Sequence, residues 1–440
     1  RHPSMLVTFL EGSPKMDKSP LLGSPFQSAP FSNAWRDCRH IAMAASLVLT
    51  GLSATAQERF LPQPSAVVLA ASVHTAGGSA SSLRALDQAW RAQPQDLQAA
   101  LAYARAVFSL GFNEGDLRWF GSAKAALMPW WQTSDLPADG FFMRGLVKQG
   151  FHDFDGGLKD INQAIALNPE RTEFWSWRFA LHLLQANMSA ARQDAEDIAR
   201  RFGPREGEIY RAVLLYRTGQ ALTAVQLLSA SMRSPDHQDA ASQVWIGFHL
   251  GEAHRVAHQP DRAIAVWQRL LQAHPQSHLL RLSLADLLNQ QGQFQQAKAV
   301  ATVNSAKLNA NLTDALLMQA LLASRGLKAP DEAALAGQMG ARLQSQALRQ
   351  ESLIERPKLI YQIAYGQDLA AGLALSIENW QMQKEPPDAV LFAQAALALK
   401  QASAAEPVVQ WAQTTGYTDP QLAPLLLQLK AHPSWSKERP

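Results

Sequence analysis

The chain has 440 residues with 40 Lys and Arg against 37 Asp and Glu, and its net charge of +3 excludes nucleic acid or an anionic membrane as the main electrostatic partner. Hydrophobic residues make up 47% of the sequence, which excludes a disordered protein and fits two or three domains or one long repeat array. The single cysteine, Cys38, excludes an intramolecular disulfide and a zinc site of the cysteine type.

The first 56 residues have the composition of a targeting sequence. Residues 1–35 are rich in Pro and Ser without apolar periodicity, and we expect them to be disordered or translated upstream sequence. Residues 36–56 combine a short basic run, an apolar stretch from Ile41 to Leu52 and an Ala-x-Ala exit, which predicts a secretory signal peptide. The stretch is shorter than the roughly 20 residues a membrane span needs. A cleaved signal predicts a periplasmic or secreted protein without an integral span; an uncleaved anchor and a soluble start are the alternatives.

The remainder of the chain has the periodicity of helices. Residues 57–82 contain Gly77-Gly78 and scattered Ser and Pro, which predicts a linker. Over residues 83–430 apolar residues recur at spacings of three and four, and no sustained alternation indicates a strand. Breakers such as Pro129, Pro169 and Pro275 divide this region into short helices. We therefore predict an all-α chain of paired helices stacked in series, with a frayed C-terminus at 431–440.

Small and aromatic residues follow a 34-residue spacing in this region. In residues 244–277, Leu250-Gly251, Ala263, Trp267 and Pro275 stand at places that resemble the tetratricopeptide repeat, a 34-residue helix-turn-helix. The resemblance implies tandem repeats that form a right-handed α-solenoid with terminal caps and, given the signal, an exported bacterial protein of that superfamily. It is best in five windows, which cover residues 138–171, 172–205, 205–235, 244–277 and 278–311.

Some positions depart from the repeat pattern, and one predicted connection is aromatic. Arg144, Arg178 and Ala285 occupy places where Leu or Gly is usual. Trp130-Trp131 follow Pro129 in a predicted connection, and we expect them either to cap the core or to form an exposed contact site.

Catalytic motifs are absent from the sequence. It contains no G-x-S-x-G, H-E-x-x-H or phosphate-binding loop, so we predict a protein that is not an enzyme and needs no cofactor. The run from Asp153 to Gly157 is similar to a calcium loop but lacks its closing Glu, and we assign it to a helix turn. An enzyme built on a helical toroid would need paired carboxylates at a cavity, and Asp153, Asp155 and Glu252 are too scattered to indicate one.

The histidines around residues 249–278 suggest a second function. His254 and His258 are four residues apart and His249 precedes them, so a helix could bring them together on a metal ion. A periplasmic metal-handling protein is therefore the alternative function. The competing interpretation places His254 in the packing between helices and His258 in a turn.

The resemblance to tetratricopeptide repeats also implies a site. In that family the first helices of successive pairs line a concave groove that holds a protein or peptide segment, and aromatic and Arg side chains often dominate such binding. We therefore predict a non-catalytic scaffold that binds an unidentified protein partner in its groove, within a cell-envelope assembly. The alternative is that later helices or the linker fill the groove. The residues that the resemblance places there are Phe142, Trp177, Tyr210, Tyr216, Arg217, Trp245, Phe248, His249, Glu252, Arg255, Asp286 and Asn289.

Overall fold

The protein was analysed as a computed structural model that describes residues 31–32, 79–114, 118–302, 312–348, 353–354 and 356–435. The signal peptide predicted at 36–56, and most of the segments at 1–35 and 57–82, lie outside the described residues. Those predictions therefore remain predictions.

The described residues are almost entirely helical, which confirms the predicted all-α fold. The first ten helices are α1 Ser79–Ala92, α2 Leu97–Glu114, α3 Arg118–Leu127, α4 Ala138–Gly150, α5 Phe154–Leu167, α6 Thr172–Leu184, α7 Met188–Phe202, α8 Pro204–Arg217, α9 Ala221–Arg233 and α10 Ala240–Val256. The other ten are α11 Pro260–Ala273, α12 His278–Gln290, α13 Phe294–Thr302, α14 Asp314–Leu327, α15 Glu332–Leu348, α16 Arg356–Gln362, α17 Leu369–Met382, α18 Pro386–Ala398, α19 Glu406–Thr415 and α20 Leu422–Ala431.

Short elements complete the chain. Four single turns of 3₁₀ helix are described, at Met128–Trp130, Pro235–His237, Ala402–Ala405 and Pro433–Trp435. Two residues near the N-terminus, β1 at Phe31–Ser32, pair antiparallel with β2 at Leu353–Ile354. No helix within the described ranges combines the length and hydropathy that crossing a membrane requires.

Side-chain caps and tight turns set the helix boundaries. Asp153 accepts the N–H of Gly156 at the start of α5, and Asn187 and Asp239 cap α7 and α10 in the same way. The turn inside a pair needs a left-handed residue, which is Gly292 between α12 and α13 and His258 between α10 and α11, where φ is 59°. The Asp153 run is thus a helix cap, as the sequence predicted.

Helices pair at close crossings. A Cβ on Gly251 would lie 2.1 Å from the indole nitrogen of Trp267, so only glycine lets α10 approach α11 this closely. Trp267 is fully buried, and its Nε1–H donates to the carbonyl of Phe248 at 3.3 Å. Each of the five windows with the best repeat pattern contains one such pair, in order α4/α5, α6/α7, α8/α9, α10/α11 and α12/α13.

The array curves, and its end returns onto it. Helix α2 is the first helix of its pair, and it contacts α12, the first helix of the pair five further on. The first helices of the pairs therefore lie on the inside of the curve. The pair α14/α15 forms a second hydrophobic cluster with parts of α12 and α13. Helices α16–α20 share one hydrophobic core with α2–α12. We call residues 356–431, which hold these five helices, the C-terminal segment.

The inner face and the C-terminal segment

The predicted groove residues lie together on the inside of the array. All twelve are on first helices of pairs, on α4, α6, α8, α10 and α12. We call the surface they form the inner face. Its centre is aromatic: the rings of Tyr210 and Trp245 are 5.2 Å apart between centroids, and Trp245 meets His249 edge-on at 5.1 Å. Phe142 stacks at an angle on Phe174, a neighbouring ring on α6.

The inner face is enclosed. Eight of its twelve residues are no more than 6% exposed: Phe142, Trp177, Tyr210, Tyr216, Arg217, Trp245, Phe248 and His249. Arg255 and Glu252 keep 11% and 19% of their side chains exposed, and Asp286 and Asn289 are half-buried. This structure therefore holds a filled face, as the alternative required, rather than an open groove. Whether a partner binds there stays a prediction.

The C-terminal segment covers the inner face at the ends of successive first helices. The N–H of Lys384 donates to the carbonyl of Leu184, the last residue of α6, at 2.8 Å. At the end of α8, a Cβ on Gly219 would lie only 2.6 Å from the carbonyl oxygen of Gly416. Contacts this close between backbones mean that the segment sits directly on the array.

Arg255 joins α10 to the C-terminal segment. Its guanidinium donates to Glu252 on its own helix at 2.9 Å and to the Oδ2 of Asp419 at 3.2 Å. Tyr417 donates its hydroxyl to the same Asp419 oxygen at 2.7 Å. Asp419 is 1% exposed, so this is a buried charge cluster that only the tertiary fold assembles.

A second buried charge cluster lies at the start of α18. Arg356 donates to Glu385 at 2.9 Å and to both oxygens of Asp388 at 3.0 Å. Arg217, on α8 of the inner face, adds a favourable electrostatic interaction with Glu385. Glu385 at the start of α18 therefore interacts with one arginine of the segment, Arg356, and with one arginine of the array, Arg217.

Burial shifts the carboxyl pKa values in this region. The pKa of Glu385 is raised to about 7, because burial outweighs the attraction of Arg356 and Arg217. The pKa of Asp286 is raised to about 6 for the same reason, against the attraction of Arg255 and Arg356. Asp286 accepts hydrogen bonds from Gln319 at 3.2 Å and Gln290 at 2.6 Å. These carboxyls favour the neutral form more than exposed ones do.

Asn289 is engaged with α14 rather than with the C-terminal segment. Its side-chain amide donates to the backbone carbonyl of Gln319 at 3.0 Å and to the side-chain oxygen of the same residue at 2.9 Å.

The three histidines considered for a metal site face different surroundings. His249 is fully buried and its Nδ1 is 2.8 Å from the hydroxyl of Tyr216. His254 shares a hydrogen bond of 2.8 Å with Gln259, and His258 is exposed in its turn. Within the described part of the chain no three His, Cys, Asp or Glu residues form a group that could hold a metal ion. The described residues thus do not bring the three histidines together, since the turn at His258 takes that residue off the helix, and the metal-handling function stays a prediction.

The loop of Trp130 and Trp131 is a fixed structure. Arg144 Nη1 donates to the carbonyls of Trp130 at 2.8 Å and Thr133 at 2.7 Å. Both indoles are half-buried, and Lys124 lies 5.3 Å from the ring of Trp131. The loop thus caps part of the core and keeps some aromatic surface exposed, which combines the two expectations.

Sequence reasoning missed the segment's contributions to this site. Arg356, Glu385, Tyr417 and Asp419 are as important to the inner face as the predicted residues, yet they come 100 or more residues later than most of them. One signal was present: α18 is apolar on all sides after an acidic, proline-containing start, which is typical of a helix enclosed by others.

Comparisons with known proteins find similar solved structures but no matching family. No protein-family model and no curated protein matches the sequence. The described helices form a tandem array of packed pairs. Among solved structures it is similar to the Rap protein complexed with competence and sporulation factor, at 12% identity and a TM-score of 0.43, covering 80% of this chain and 98% of that one.

Two further solved structures are similar to this chain at lower TM-scores. A tetratricopeptide repeat protein from Parabacteroides merdae is 11% identical with a TM-score of 0.31, covering 66% of this chain and 98% of that one. The Cut9–Hcn1 hetero-tetramer of the APC/C is 12% identical with a TM-score of 0.35. The match covers 80% of this chain and 52% of that one, so this chain spans about half the length of that protein.

Proposed function

We propose that the protein is a non-catalytic, exported scaffold that binds a segment of a partner protein at its inner face. The observation that carries the proposal is that this face already contacts a chain segment, its own residues 356–431, through a shared hydrophobic core and the ion pair of Arg255 and Asp419. A surface that holds one helical segment has the chemistry to hold another. The exported setting rests on the signal pattern at 36–56, and a cell-envelope assembly is the setting we infer from it.

The charges of the inner face favour binding over catalysis. Asp419 is paired with Arg255, and Glu385 and Asp388 are paired with Arg356, so these carboxylates are engaged in holding helices together. Buried ion pairs of this kind contribute position and specificity more than affinity.

Quantitative capture tests the scaffold function. The full chain and an Arg217→Gln variant would be used as baits for an envelope extract, with Arg200→Gln on the exposed side of α7 as the matched control. We expect partners that the control retains and that Arg217→Gln loses at least tenfold, at equal helicity by circular dichroism. If no protein is enriched by the unmodified chain, the scaffold function is wrong; if both variants retain the partners, the site lies elsewhere, with the Trp130 loop next to be tested.

Fractionation tests the exported setting separately. The chain with its native N-terminus, expressed in a Gram-negative host, should appear in the periplasmic fraction without residues 1–56. Intact protein in the cytoplasm would contradict that part of the proposal.

A further inference from the structure

Helix α18 is enclosed on most of its surface. Val390, Leu391 and Phe392 are 6% exposed or less, and four of its alanines are fully buried. It contacts α16, α17, α19 and α20 of its own segment, and its apolar residues belong to the core that includes the inner face. Helix α18 is therefore the central helix of the C-terminal segment.

The start of α18 is charged where the rest is apolar. Glu385 stands at its N-cap and Asp388 three residues later, both at most 3% exposed. Carboxylates are favoured near a helix N-terminus, but burying charge costs free energy that an apolar contact does not. A permanent core would be held at least as well by apolar residues at these positions. Buried charge that is paired across a contact is instead typical of surfaces that must fix register and choose a partner.

The charges are complementary across the contact. The array contributes Arg217 and Arg255, and the segment contributes Glu385 and Asp419 opposite them. In the reverse sense, Arg356 of the segment attracts Asp286 of the array. A segment that binds here must therefore present carboxylates at two places, one of them at the start of an apolar helix.

We propose that the C-terminal segment is a resident occupant of the inner face, and that the partner displaces it with a helix of the same chemistry. That partner helix begins with a carboxylate at the place of Glu385, which faces Arg217 of the array, and continues with Ala and large apolar side chains. This inference rests on the proposed scaffold function and specifies its site and its ligand. The segment keeps the apolar inner face covered until such a helix is available.

Hydrogen exchange on the unmodified chain is the first test. If the segment is an occupant, residues 356–431 will exchange together through an opening that leaves α4–α11 protected. Exchange of both regions through one common opening would overturn the proposal, because the segment would then be part of a single permanent core. This measurement needs no variant, so a failure to fold does not interfere with it.

A peptide of residues 383–400, the chain's own α18, is the second test. Phe392→Ala weakens the packing of α18 by leaving a cavity. Phe120→Ala, which removes an equally buried Phe from α3, is the matched control. By fluorescence anisotropy, the Phe392→Ala chain should bind the peptide at least tenfold more tightly than the unmodified and Phe120→Ala chains do. A peptide with Glu385→Gln, which lacks the carboxylate that faces Arg217, should lose at least tenfold in affinity.

The outcomes separate the two proposals. If Phe392→Ala exposes α18 to exchange and the peptide still does not bind, the displaced-occupant inference is overturned while captured partners leave the scaffold function standing. If both peptides bind equally well, the role given to the carboxylate of Glu385 is overturned. If the peptide binds as expected and the extract yields no partner, it is the scaffold function that fails.

Discussion

At the scale of single residues, two departures from the repeat pattern prove to be paired replacements. Arg144 donates two hydrogen bonds of 2.7 Å to Asp160, and Arg178 donates to Asp194 one repeat later at 2.9 Å. Both pairs join the two helices of one repeat at the same positions, 16 residues apart. Each arginine thus stands where the repeat pattern has an apolar or small residue, and it is tolerated there because a buried carboxylate on the second helix of the repeat accepts its hydrogen bonds.

Replacement of Arg144 should destabilise the protein strongly. Arg144→Met leaves Asp160, 3% exposed, with Lys148 as its remaining basic partner and removes the donor to the Trp130 loop. We expect a loss of about 3–5 kcal/mol in the free energy of unfolding, measured with urea. The exposed pair of Arg200 and Asp197 is the control, and Arg200→Gln should cost less than about 1 kcal/mol. A loss under 1 kcal/mol for Arg144→Met would contradict this assignment.

Gly251 tests the close crossing of α10 and α11. In Gly251→Ala the new methyl group collides with the buried Trp267 ring, and overpacking of this kind costs about 1–3 kcal/mol or more. Gly337 in α15 is the matched control, since a Cβ there meets nothing within 4 Å. Gly337→Ala should instead stabilise by about 0.5–1 kcal/mol, because alanine is the better helix former. Thermal unfolding of the two variants should therefore shift in opposite directions.

At the scale of elements, charge contributes to the contact between the C-terminal segment and the array as well as to the contacts inside the repeats. Arg144 and Arg178 pair with carboxylates inside their repeats, and Arg255 of α10 pairs with Asp419 of the segment. Glu385 of the segment also interacts with Arg217 of α8, so the docking of α16–α20 depends on the ionisation of Glu385 and its neighbours.

Docking of the segment should strengthen as the pH falls from 8 to 5.5. The pKa of Glu385 is raised to about 7 in the docked state, so docking takes up a proton between its ordinary value of 4.5 and 7. This contribution is fully present at low pH and is lost as the pH rises through 7. The groups that face Glu385 are Arg356 from α16, Arg217 from α8 and Asp388 from α18.

Asp286 adds to the same pH dependence. Burial, with a smaller effect from Glu252 of α10, raises its pKa to about 6. Arg255 of α10, Gln319 of α14 and Arg356 of α16 act in the opposite direction. Together the two carboxyls should change the free energy of segment opening by about 1–3 kcal/mol between pH 8 and 5.5. Hydrogen exchange corrected for intrinsic rates measures this change, and Glu385→Gln should flatten the profile. Tighter docking at pH 8 than at pH 5.5 would contradict the direction.

At the scale of the whole molecule, the chain makes one array and then returns to it. Helices α16–α20 contribute residues such as Val390, Phe392 and Tyr417 to the core that begins at α2, while α14/α15 form the second cluster. The last residues described are also held, because the hydroxyl of Ser434 accepts the N–H of Ala402 at 3.0 Å. Residues 356–435 thus complete the array, while the frayed C-terminus predicted at 431–440 lies partly outside the described residues and stays a prediction.

Removal of the C-terminal segment should leave a helical array with exposed hydrophobic surface. A chain that ends at residue 355 lacks the groups that lie near Tyr216, Arg217 and Arg255 of the inner face, and it exposes the part of the shared core that α16–α20 cover. We expect far-UV circular dichroism per residue to stay similar, the midpoint of thermal unfolding to fall by more than about 5 °C and a hydrophobic dye to bind. A chain that ends at residue 435 is the control. Unchanged dye binding after removal of the segment would mean that the inner face closes by another route.

The sequence by itself determined the elements, because helix period, caps, turn residues and the 34-residue spacing are local properties. It placed the helix pairs from α4 to α13 and put the twelve inner-face residues on first helices, since their positions follow from the repeat. It did not determine that this face is filled. That outcome depends on Arg255 meeting Asp419 and Arg217 meeting Glu385, more than 160 residues apart in each pair. Only the tertiary structure decides such contacts, because no local pattern encodes which late segment returns to an early surface.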